Sequence, residues 1–294
     1  MKKLTNVNIL WQCLSDFSSA TAKEIALLSP DKFVINVDGP GSTAKSPINP
    51  PSIKSLVGFV GDLDNFGYKG ELVMHPNCDS SSYEHDWNGK GNLPTITAGV
   101  DSWNVYLDYF NNVQTTLLQN RTKTFDELLI ETENSYFTNH DIQTFKLFPQ
   151  IRAKLDKTIK LSSTGGWNFN WERQGMGMDC YYIQMYDMCD IKTKLPYPNL
   201  GGVNTYSKQH VIDLVNNLKD AVQKQNCNVN NPNAHFIFTF CDKDNNPPLD
   251  PPMFSTPGSY WTEDQFTEFI TKLKQSFNIK NVGVWPCESV LKHW

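Results

Sequence analysis

The sequence predicts an α/β fold, specifically a (β/α)8 TIM barrel that occupies residues 1–294 as a single domain. Short β-rich apolar runs alternate along the chain with longer stretches of helical spacing, a pattern typical of parallel strands covered by helices. Eight such runs are present, which is the number that closes this barrel, and 294 residues is a suitable length for it. No shift in composition marks a second domain.

Several of the predicted strands are nearly continuous in their apolar character, as expected for strands that are covered on both faces. The strands are Val7–Leu10, Phe33–Val37, Glu71–Met74, Glu127–Ile130, Thr158–Leu161, Tyr181–Met185, His235–Phe240 and Val282–Trp285.

Apolar residues at helical spacing predict helices over Asp101–Leu118, Asn139–Leu155, Ser207–Lys224 and Thr262–Phe277. A short Gly-rich fifth link predicts a short fifth helix, and the few residues after the eighth run predict a truncated last helix. An open doubly wound sheet is the alternative, but no Gly-rich phosphate loop follows an early strand.

The composition excludes several classes of partner. The chain carries 26 basic and 31 acidic residues, for a net charge of −5, without clustered positive charge, so neither nucleic acid nor an anionic membrane is an expected partner. The N-terminal residues are too polar for a secretory signal, and the seven cysteines include no C-x-x-C pair. We therefore expect a cytoplasmic protein with reduced thiols.

Candidate functional residues follow the ends of the predicted strands, because the reactive groups of such barrels gather at that end. Carboxylates follow the fourth strand, a tyrosine and an aspartate follow the sixth, and tryptophans follow the first, fifth and eighth. These residues are Glu131, Glu133, Tyr186, Asp187, Trp11, Trp167 and Trp285. Tryptophan faces stack on sugar rings, and paired carboxylates protonate a leaving oxygen and stabilise positive charge. The combination indicates sugar processing.

Three segments resemble motifs of the family 18 glycoside hydrolases, which comprise chitinases and endo-β-N-acetylglucosaminidases. The segment Phe125–Glu133 resembles the D-x-x-D-x-D-x-E catalytic strand, and Tyr182–Asp187 resembles the Q-x-Y-N or M-x-Y-D signature. Gly283–Trp285 resembles the segment whose tryptophan floors the sugar site. The three segments lie in the expected order across most of the chain.

The resemblance implies a hydrolase that cleaves β-linked N-acetylglucosamine, in chitin-like oligomers or in N-glycan cores, by substrate-assisted retention. Glu133 is then the general acid that protonates the glycosidic oxygen. Glu131 orients the acetamido group of the substrate, and Tyr186 donates a hydrogen bond to that group. Asp187 is the fourth residue of the expected catalytic set.

The resemblance also implies how the sugar is bound. The expected substrate-binding residues are Trp285, which forms the floor of the site, together with Gln184, Trp11 and Trp167. The mechanism needs no cofactor and no metal ion, so neither is expected. His75 and Cys78, with the segment Glu84–Asp86, are residue types that bind zinc, but their spacing matches no closed zinc motif.

The catalytic strand departs from the family pattern at two positions. Leu129 stands where the family has an aspartate, and Glu131 replaces the next aspartate with a side chain that is one methylene longer. The segment Ser163–Gly166 resembles the family's S-x-G-G but follows the catalytic strand instead of preceding it. A catalytically inactive barrel that binds carbohydrate or protein, or serves in storage or assembly, is therefore the alternative. The oligomeric state stays open.

Overall fold

The computed structural model describes residues 6–12, 17–38, 53–77, 96–131, 149–166, 178–184, 216, 233–239, 263–277, 279–285, 287 and 290–291. Its eight strands form a closed barrel in the order β1 to β8, and the described strand pairs are parallel. The strands are β1 (Ile9–Trp11), β2 (Lys32–Asp38), β3 (Glu71–Asn77), β4 (Glu127–Glu131), β5 (Lys160–Gly166), β6 (Cys180–Gln184), β7 (Ala234–Thr239) and β8 (Asn281–Trp285). The predicted fold class is confirmed.

Four longer helices flank these strands. They are α1 (Ser19–Leu28), α2 (Ile53–Asn65), α3 (Ile96–Gln119) and α4 (Glu263–Phe277), and residues 149–154 are also helical. Ser18 caps α1, since its hydroxyl oxygen accepts a hydrogen bond from the Thr21 amide at 3.2 Å. Gly67 ends α2 in the left-handed conformation, with φ of 83°, and the next amide, of Tyr68, donates back to the Leu63 carbonyl.

The chain divides into two compact units, of which the second comprises residues 14–163 and 176–179. In this unit β2 pairs with β3 and β3 with β4. Phe33 of β2 packs against Phe59 of α2 with ring centroids 6.3 Å apart. Because side chains alternate along a strand, the other face of β2, with Lys32, Val34 and Asn36, is turned toward the barrel interior.

The first unit comprises residues 1–13, 164–175 and 180–294, and here β6, β7, β8 and β1 are neighbours in that order. Phe238 of β7 packs against Phe269 of α4, at 5.5 Å between ring centroids, so the alternate residues of β7 face inward. Asn8 links β1 to β8 through its side chain, since its Nδ2 donates to the Asn281 side-chain oxygen at 3.1 Å and its Oδ1 accepts from the Val282 backbone amide at 2.9 Å.

The eight predicted strands are present, with shifted bounds. The fifth was predicted over Thr158–Leu161, but the strand runs over Lys160–Gly166. Thr158 belongs instead to a turn, in which its amide and hydroxyl both donate to the Asp156 carboxylate. The strand continues through Ser162, Ser163 and Thr164, which are buried although they are polar.

The helix predictions were partly correct. The prediction for Thr262–Phe277 matches α4, and α3 begins five residues before the predicted Asp101. Residues 149–154 belong to the predicted helix Asn139–Leu155, whose other residues lie largely outside the described part of the chain. The predicted helix Ser207–Lys224 and the short fifth helix also lie largely or wholly outside it. Helices α1 and α2 were not predicted.

No helix in the described ranges is long and apolar enough to cross a membrane. Cys180 and Cys287 are both buried. The assignment of residues 1–294 to one domain and the cytoplasmic location stay predictions.

Candidate active site

In the first unit, four neighbouring strands end in polar or aromatic residues. Gln184 ends β6, Thr239 ends β7, Trp285 ends β8 and Trp11 ends β1. Thr239 and Trp285 are register partners, and the pairs Gln184 with Ile237 and Leu10 with Val284 align the other strands. Three of the predicted substrate-binding residues, Gln184, Trp285 and Trp11, therefore lie at the carboxyl ends of three of these four strands.

Behind these ends, the inner face of the first unit is packed with aromatic rings. The Tyr182 ring contacts the Trp11 ring edge-on at 6.0 Å and the His235 ring at 4.7 Å. Trp11 is only 2% exposed, so Tyr182 and its surroundings fix the orientation of this indole. Its role in substrate binding stays a prediction.

Two isoleucines pack against a glycine of β8, Gly283. Gly283 pairs with Ile237 on one side and with Ile9 on the other. A Cβ at this position would meet the Ile237 side chain and would lie 3.1 Å from the Ile9 Cβ. Two isoleucines therefore fill the space that a side chain at residue 283 would need, two residues before Trp285.

In the second unit, β2, β3 and β4 end at Asp38, Asn77 and Glu131. Asp38 and Asn77 are register partners. The predicted catalytic residue Glu131 is the last residue of β4 and so lies at the carboxyl end of that strand. Glu133, Tyr186, Asp187 and Trp167 lie outside the described residues, so their roles stay predictions.

A buried polar pair lies one inward position before these ends. The Nδ1 atom of His75 is 2.9 Å from the side-chain oxygen of Asn36, and both residues are buried. They are register partners on β3 and β2. In the sequence His75 stands out as a residue type that binds zinc, whereas no role was predicted for Asn36. Among the described residues, no group of three or more His, Cys, Asp or Glu side chains could hold a metal ion.

The signal that could have found this pair is the interruption of an apolar run. In Phe33–Val37, Asn36 is the single polar residue, and its alternation with Val34 places it on the inner face of the strand. A polar residue at such a position needs a partner in the interior, and the next strand offers His75.

The opposite, amino-terminal end of the second unit carries a charge network. The Lys32 ammonium lies 2.7 Å from both the Glu71 and the Glu127 carboxylates, and the Lys160 ammonium lies 2.6 Å from Glu71. These four residues begin β2, β3, β4 and β5. Glu127 is fully buried, and Lys32 is 12% exposed.

Acid is expected to weaken this network through Glu71. Burial raises the pKa of the Glu71 carboxyl, but hydrogen bonds from Lys160 and Lys32 and the charges of these lysines outweigh burial, so the pKa lies below its ordinary value of 4.5. A lowered folded pKa means that the ionised form stabilises the fold above the unfolded pKa. This contribution is lost as the pH falls through the lower, folded value.

The measurement is the melting temperature of wild type and Glu71→Gln from about pH 7 down to about pH 3. The wild type should be more stable near neutrality and should lose more of its stability below pH 4.5, so that the two curves converge. Parallel curves over the whole range would contradict the expectation.

The comparisons with known proteins concern the fold. No protein-family profile and no curated protein sequence matches the chain. Among solved structures, a GH113 β-1,4-mannanase is similar with a TM-score of 0.57 and 12% identity, covering 97% of this chain and 89% of the mannanase. A chitinase from Bacteroides thetaiotaomicron gives 0.55 and 10%, with 96% and 90% covered. The GH18 chitinase ChiB from the chitin utilization locus of Flavobacterium johnsoniae gives 0.54 and 12%, with 95% and 86% covered. The chain thus has the barrel fold that these glycoside hydrolases also have.

Proposed function

We propose that the chain is a glycoside hydrolase acting on β-linked N-acetylglucosamine, in chitin-like oligomers or N-glycan cores. The proposal is supported by one observation about the strand ends. The three segments that resemble family 18 motifs coincide with strand ends: Glu131 ends β4, Gln184 ends β6 and Trp285 ends β8. The carboxyl end of each strand is where the reactive groups of a (β/α)8 barrel lie.

The proposed reaction follows from the roles that the resemblance implies. Glu133 donates its proton to the glycosidic oxygen while the bond from that oxygen to the anomeric carbon breaks. The carbonyl oxygen of the substrate's acetamido group attacks the anomeric carbon and forms an oxazolinium ion. Water then opens this ring, giving its proton to the Glu133 carboxylate, and the product keeps the configuration of the substrate.

The remaining residues serve orientation and binding. Glu131 positions the acetamido group and stabilises its positive charge, Tyr186 donates a hydrogen bond to that group, and Asp187 supports this set. Trp285 offers its ring face to the sugar, with Gln184, Trp11 and Trp167 as further contacts.

Substitution of the general acid tests the proposal. Glu133→Gln keeps the size of the side chain but cannot donate the proton, so hydrolysis of fluorogenic chitobiose and chitotriose should fall by about a hundredfold or more. Glu24→Gln is the matched control, since Glu24 is exposed on α1 and should keep wild-type rates. Circular dichroism of each variant checks the fold.

A mannan oligomer and a free N-glycan complete the assay. Mannose has no acetamido group, so cleavage of a β-1,4-mannan oligomer by the wild type would contradict the substrate-assisted mechanism. Cleavage of the N-glycan but not of the chitin oligomers would narrow the substrate to glycan cores. Equal, negligible rates of the wild type and Glu133→Gln on every substrate would contradict the hydrolase.

One specific observation favours the second candidate, an inactive barrel that binds carbohydrate or protein or serves in storage or assembly. Leu129 is fully buried on the inner face of β4, at the position where the resembled motif carries an acid. Binding of chitin oligomers without turnover, measured by calorimetry, would identify a carbohydrate-binding barrel. If the protein neither bound nor cleaved chitin oligomers, the remaining role would be the binding of a protein partner.

A further inference from the structure

One polar residue lies on the inner face of the second unit directly beyond the charge network. Lys32 of β2 contacts Glu127 of β4 past the intervening strand β3, so the side chains of the network point into the barrel. Because side chains alternate along a strand, the next inward position on each strand lies two residues further along. These positions hold Val34, Val73, Leu129 and Ser162, and all four residues are buried. The serine is the single polar member of this layer.

Two buried polar atoms in this region have no hydrogen-bond partner among the described residues. They are the hydroxyl oxygen of Ser162 and Oε1 of Glu127. Glu127 uses its other oxygen, Oε2, to accept from the Lys32 ammonium at 2.7 Å. The two atoms are chemically complementary, because a hydroxyl donates and a carboxylate oxygen accepts. They nevertheless form no direct hydrogen bond with each other.

Burial of these two groups without partners is unfavourable. A donor or acceptor that loses water and gains no partner costs free energy, and the cost is larger for a charged group. Lys32 compensates the charge of Glu127 but satisfies only one of its two carboxylate oxygens. The neighbouring side chains of Val73 and Leu129 are apolar and can neither donate nor accept. Buried polar groups generally have a partner, so one is expected for these two.

The pairing of β4 with β5 brings the two groups close to each other. The Lys160 amide donates to the Asp126 carbonyl at 2.9 Å. Between β2 and β3 the same pattern accompanies register partners in which the donor lies opposite the residue after the acceptor. Glu127 therefore lies beside Lys160, and Ser162 is the next inward residue on β5. With strands about 4.8 Å apart and a rise of about 3.3 Å per residue, the Cα atoms of residues 127 and 162 are roughly 8 Å apart.

The chemistry of the two groups restricts what can lie between them. The ligand must donate to a carboxylate oxygen and accept from a hydroxyl, which neither a metal cation nor a halide anion can do. The two ammonium groups and two carboxylates of the network already balance in charge, so a further ion would be buried without compensation. The apolar neighbours leave room only for a small molecule. Water has the required donor, acceptor and size.

We propose that an internal water molecule binds between Glu127 and Ser162 and links β4 to β5. The water donates a hydrogen bond to Oε1 of Glu127 and accepts one from the Ser162 hydroxyl. Internal waters typically bind to buried polar groups that otherwise lack partners. The site lies near the amino-terminal ends of the strands, away from the proposed active site, so the inference does not depend on the proposed reaction.

Two other buried atoms of this unit lack a hydrogen bond to a described residue, but neither defines a second site. Oε2 of Glu71 lies 2.7 Å from the Lys32 ammonium and so has an ionic partner. The Ser163 hydroxyl lies on the opposite face of β5 from Ser162, because the side chains alternate. No second buried side-chain atom without a partner lies on that face among the described residues of the unit. Ser163 is therefore a matched control.

Alanine substitutions of the two serines should change stability in opposite directions. Removing a hydroxyl that has no partner is neutral or stabilising, whereas removing one that binds a water leaves the water and Glu127 with one bond fewer. Ser162→Ala should therefore lower the melting temperature, and Ser163→Ala should leave it unchanged or raise it. A melting temperature of Ser162→Ala at or above that of the wild type would overturn the inference.

Oxygen-17 relaxation dispersion of the solvent detects internal waters directly in the intact protein. Asparagine at residue 162 can donate to Glu127 itself and displace the water, so Ser162→Asn should lower the dispersion amplitude by the contribution of one water molecule. Ser163→Ala should keep the wild-type amplitude. An equal amplitude in the wild type and a folded Ser162→Asn would contradict the water site.

A high-resolution crystal structure of the wild type decides the question even if Ser162→Asn fails to fold. The expected result is a density peak within hydrogen-bonding distance of both Oε1 of Glu127 and the Ser162 hydroxyl. A direct hydrogen bond between the two side chains, or apolar atoms filling the space between them, would overturn the inference.

Discussion

Lys32→Met is expected to destabilise the protein by about 3–5 kcal/mol, because it leaves a buried carboxylate without its counter-charge. The Glu127 side chain is fully buried, and Lys32 is the partner of its carboxylate, at 2.7 Å. Methionine fills a similar volume to the lysine stem, so the expected loss comes from the charge and not from a cavity. Glu71 loses one of its two lysine partners at the same time.

A second substitution separates the charge from the packing. The double variant Lys32→Met with Glu127→Leu removes both buried charges and should recover most of the loss, since apolar residues of similar volume often replace a buried ion pair at little cost. Lys123→Met is the control, because Lys123 and Asp126 form a partly exposed pair at 3.8 Å, which should contribute less than about 1 kcal/mol.

Urea unfolding followed by circular dichroism gives the free energies of unfolding for this series. An effect of Lys32→Met no larger than that of Lys123→Met would contradict the expectation. A double variant no more stable than Lys32→Met would show that the methionine itself packs badly.

Gly70→Ala is expected to cost about 1–3 kcal/mol or more, because the new methyl group has no space. A Cβ at residue 70 would meet the backbone carbonyl oxygen of Pro30 and the hydroxyl of Tyr68, and would lie 2.7 Å from the Tyr68 Cζ. Backbone atoms cannot move aside cheaply. The Tyr68 ring is buried, and its hydroxyl donates to the Glu71 carbonyl at 3.1 Å.

The Tyr68 hydroxyl stays protonated and therefore keeps its hydrogen bond to the Glu71 carbonyl. Burial raises the pKa of the Tyr68 hydroxyl, and the nearby carboxylates of Asp126, Asp31 and Glu71 raise it further, so the neutral donor persists. Displacing the ring therefore also breaks its hydrogen bond to Glu71, at the start of β3.

Two other glycines of the same unit are matched controls in thermal unfolding. A Cβ at Gly58, within α2, would meet nothing within 4 Å, so Gly58→Ala should be neutral or stabilise the helix by up to about 1 kcal/mol. Gly67 also has open space but a φ of 83°, so Gly67→Ala should cost about 1 kcal/mol through backbone strain alone. Gly70→Ala with the stability of Gly58→Ala would contradict the steric argument.

The sequence predicted the number of strands correctly but placed the carboxyl ends of two strands three or more residues too early. The apolar run of β3 stops at Met74, whereas the strand continues through His75 to Asn77, and the run of β5 stops five residues before Gly166. In both cases the additional residues are polar or small. The residues at the carboxyl ends of these strands are more polar because the barrel interior there is not purely a hydrophobic core. The apolar pattern therefore ends before the strand does.

Helices α1 and α2 were not located from the sequence, and the reason differs between them. In α1 the buried residues include the small or polar Thr21 and Ala22, so the apolar stripe is narrow. In α2 the apolar residues Leu56, Phe59, Val60 and Leu63 are well spaced, but two glycines within the helix weaken the pattern. Tertiary packing of α1 on α2 and of α2 on α3 supplies what local preference lacks.

The candidate site was predictable only where a motif was present. Glu131, Gln184 and Trp285 were predicted from local sequence patterns, and each ends a strand. Asn36 and His75 lie 39 residues apart, and only the pairing of β2 with β3 brings them together. Asn36 is visible in the sequence as the single polar residue of an apolar run, but the identity of its partner depends on strand register and has no local signature.

The charges at the amino-terminal strand ends also determine how the strands find their places. If β2 slipped by one residue along β3, every side chain would change faces, and Phe33 would enter the barrel while Lys32 left it. A slip by two residues would restore the faces but move Lys32 out of register with Glu71, so the ion pair between these two residues would be lost. The charge network therefore disfavours strand pairings in the wrong register that the hydrophobic pattern alone would allow.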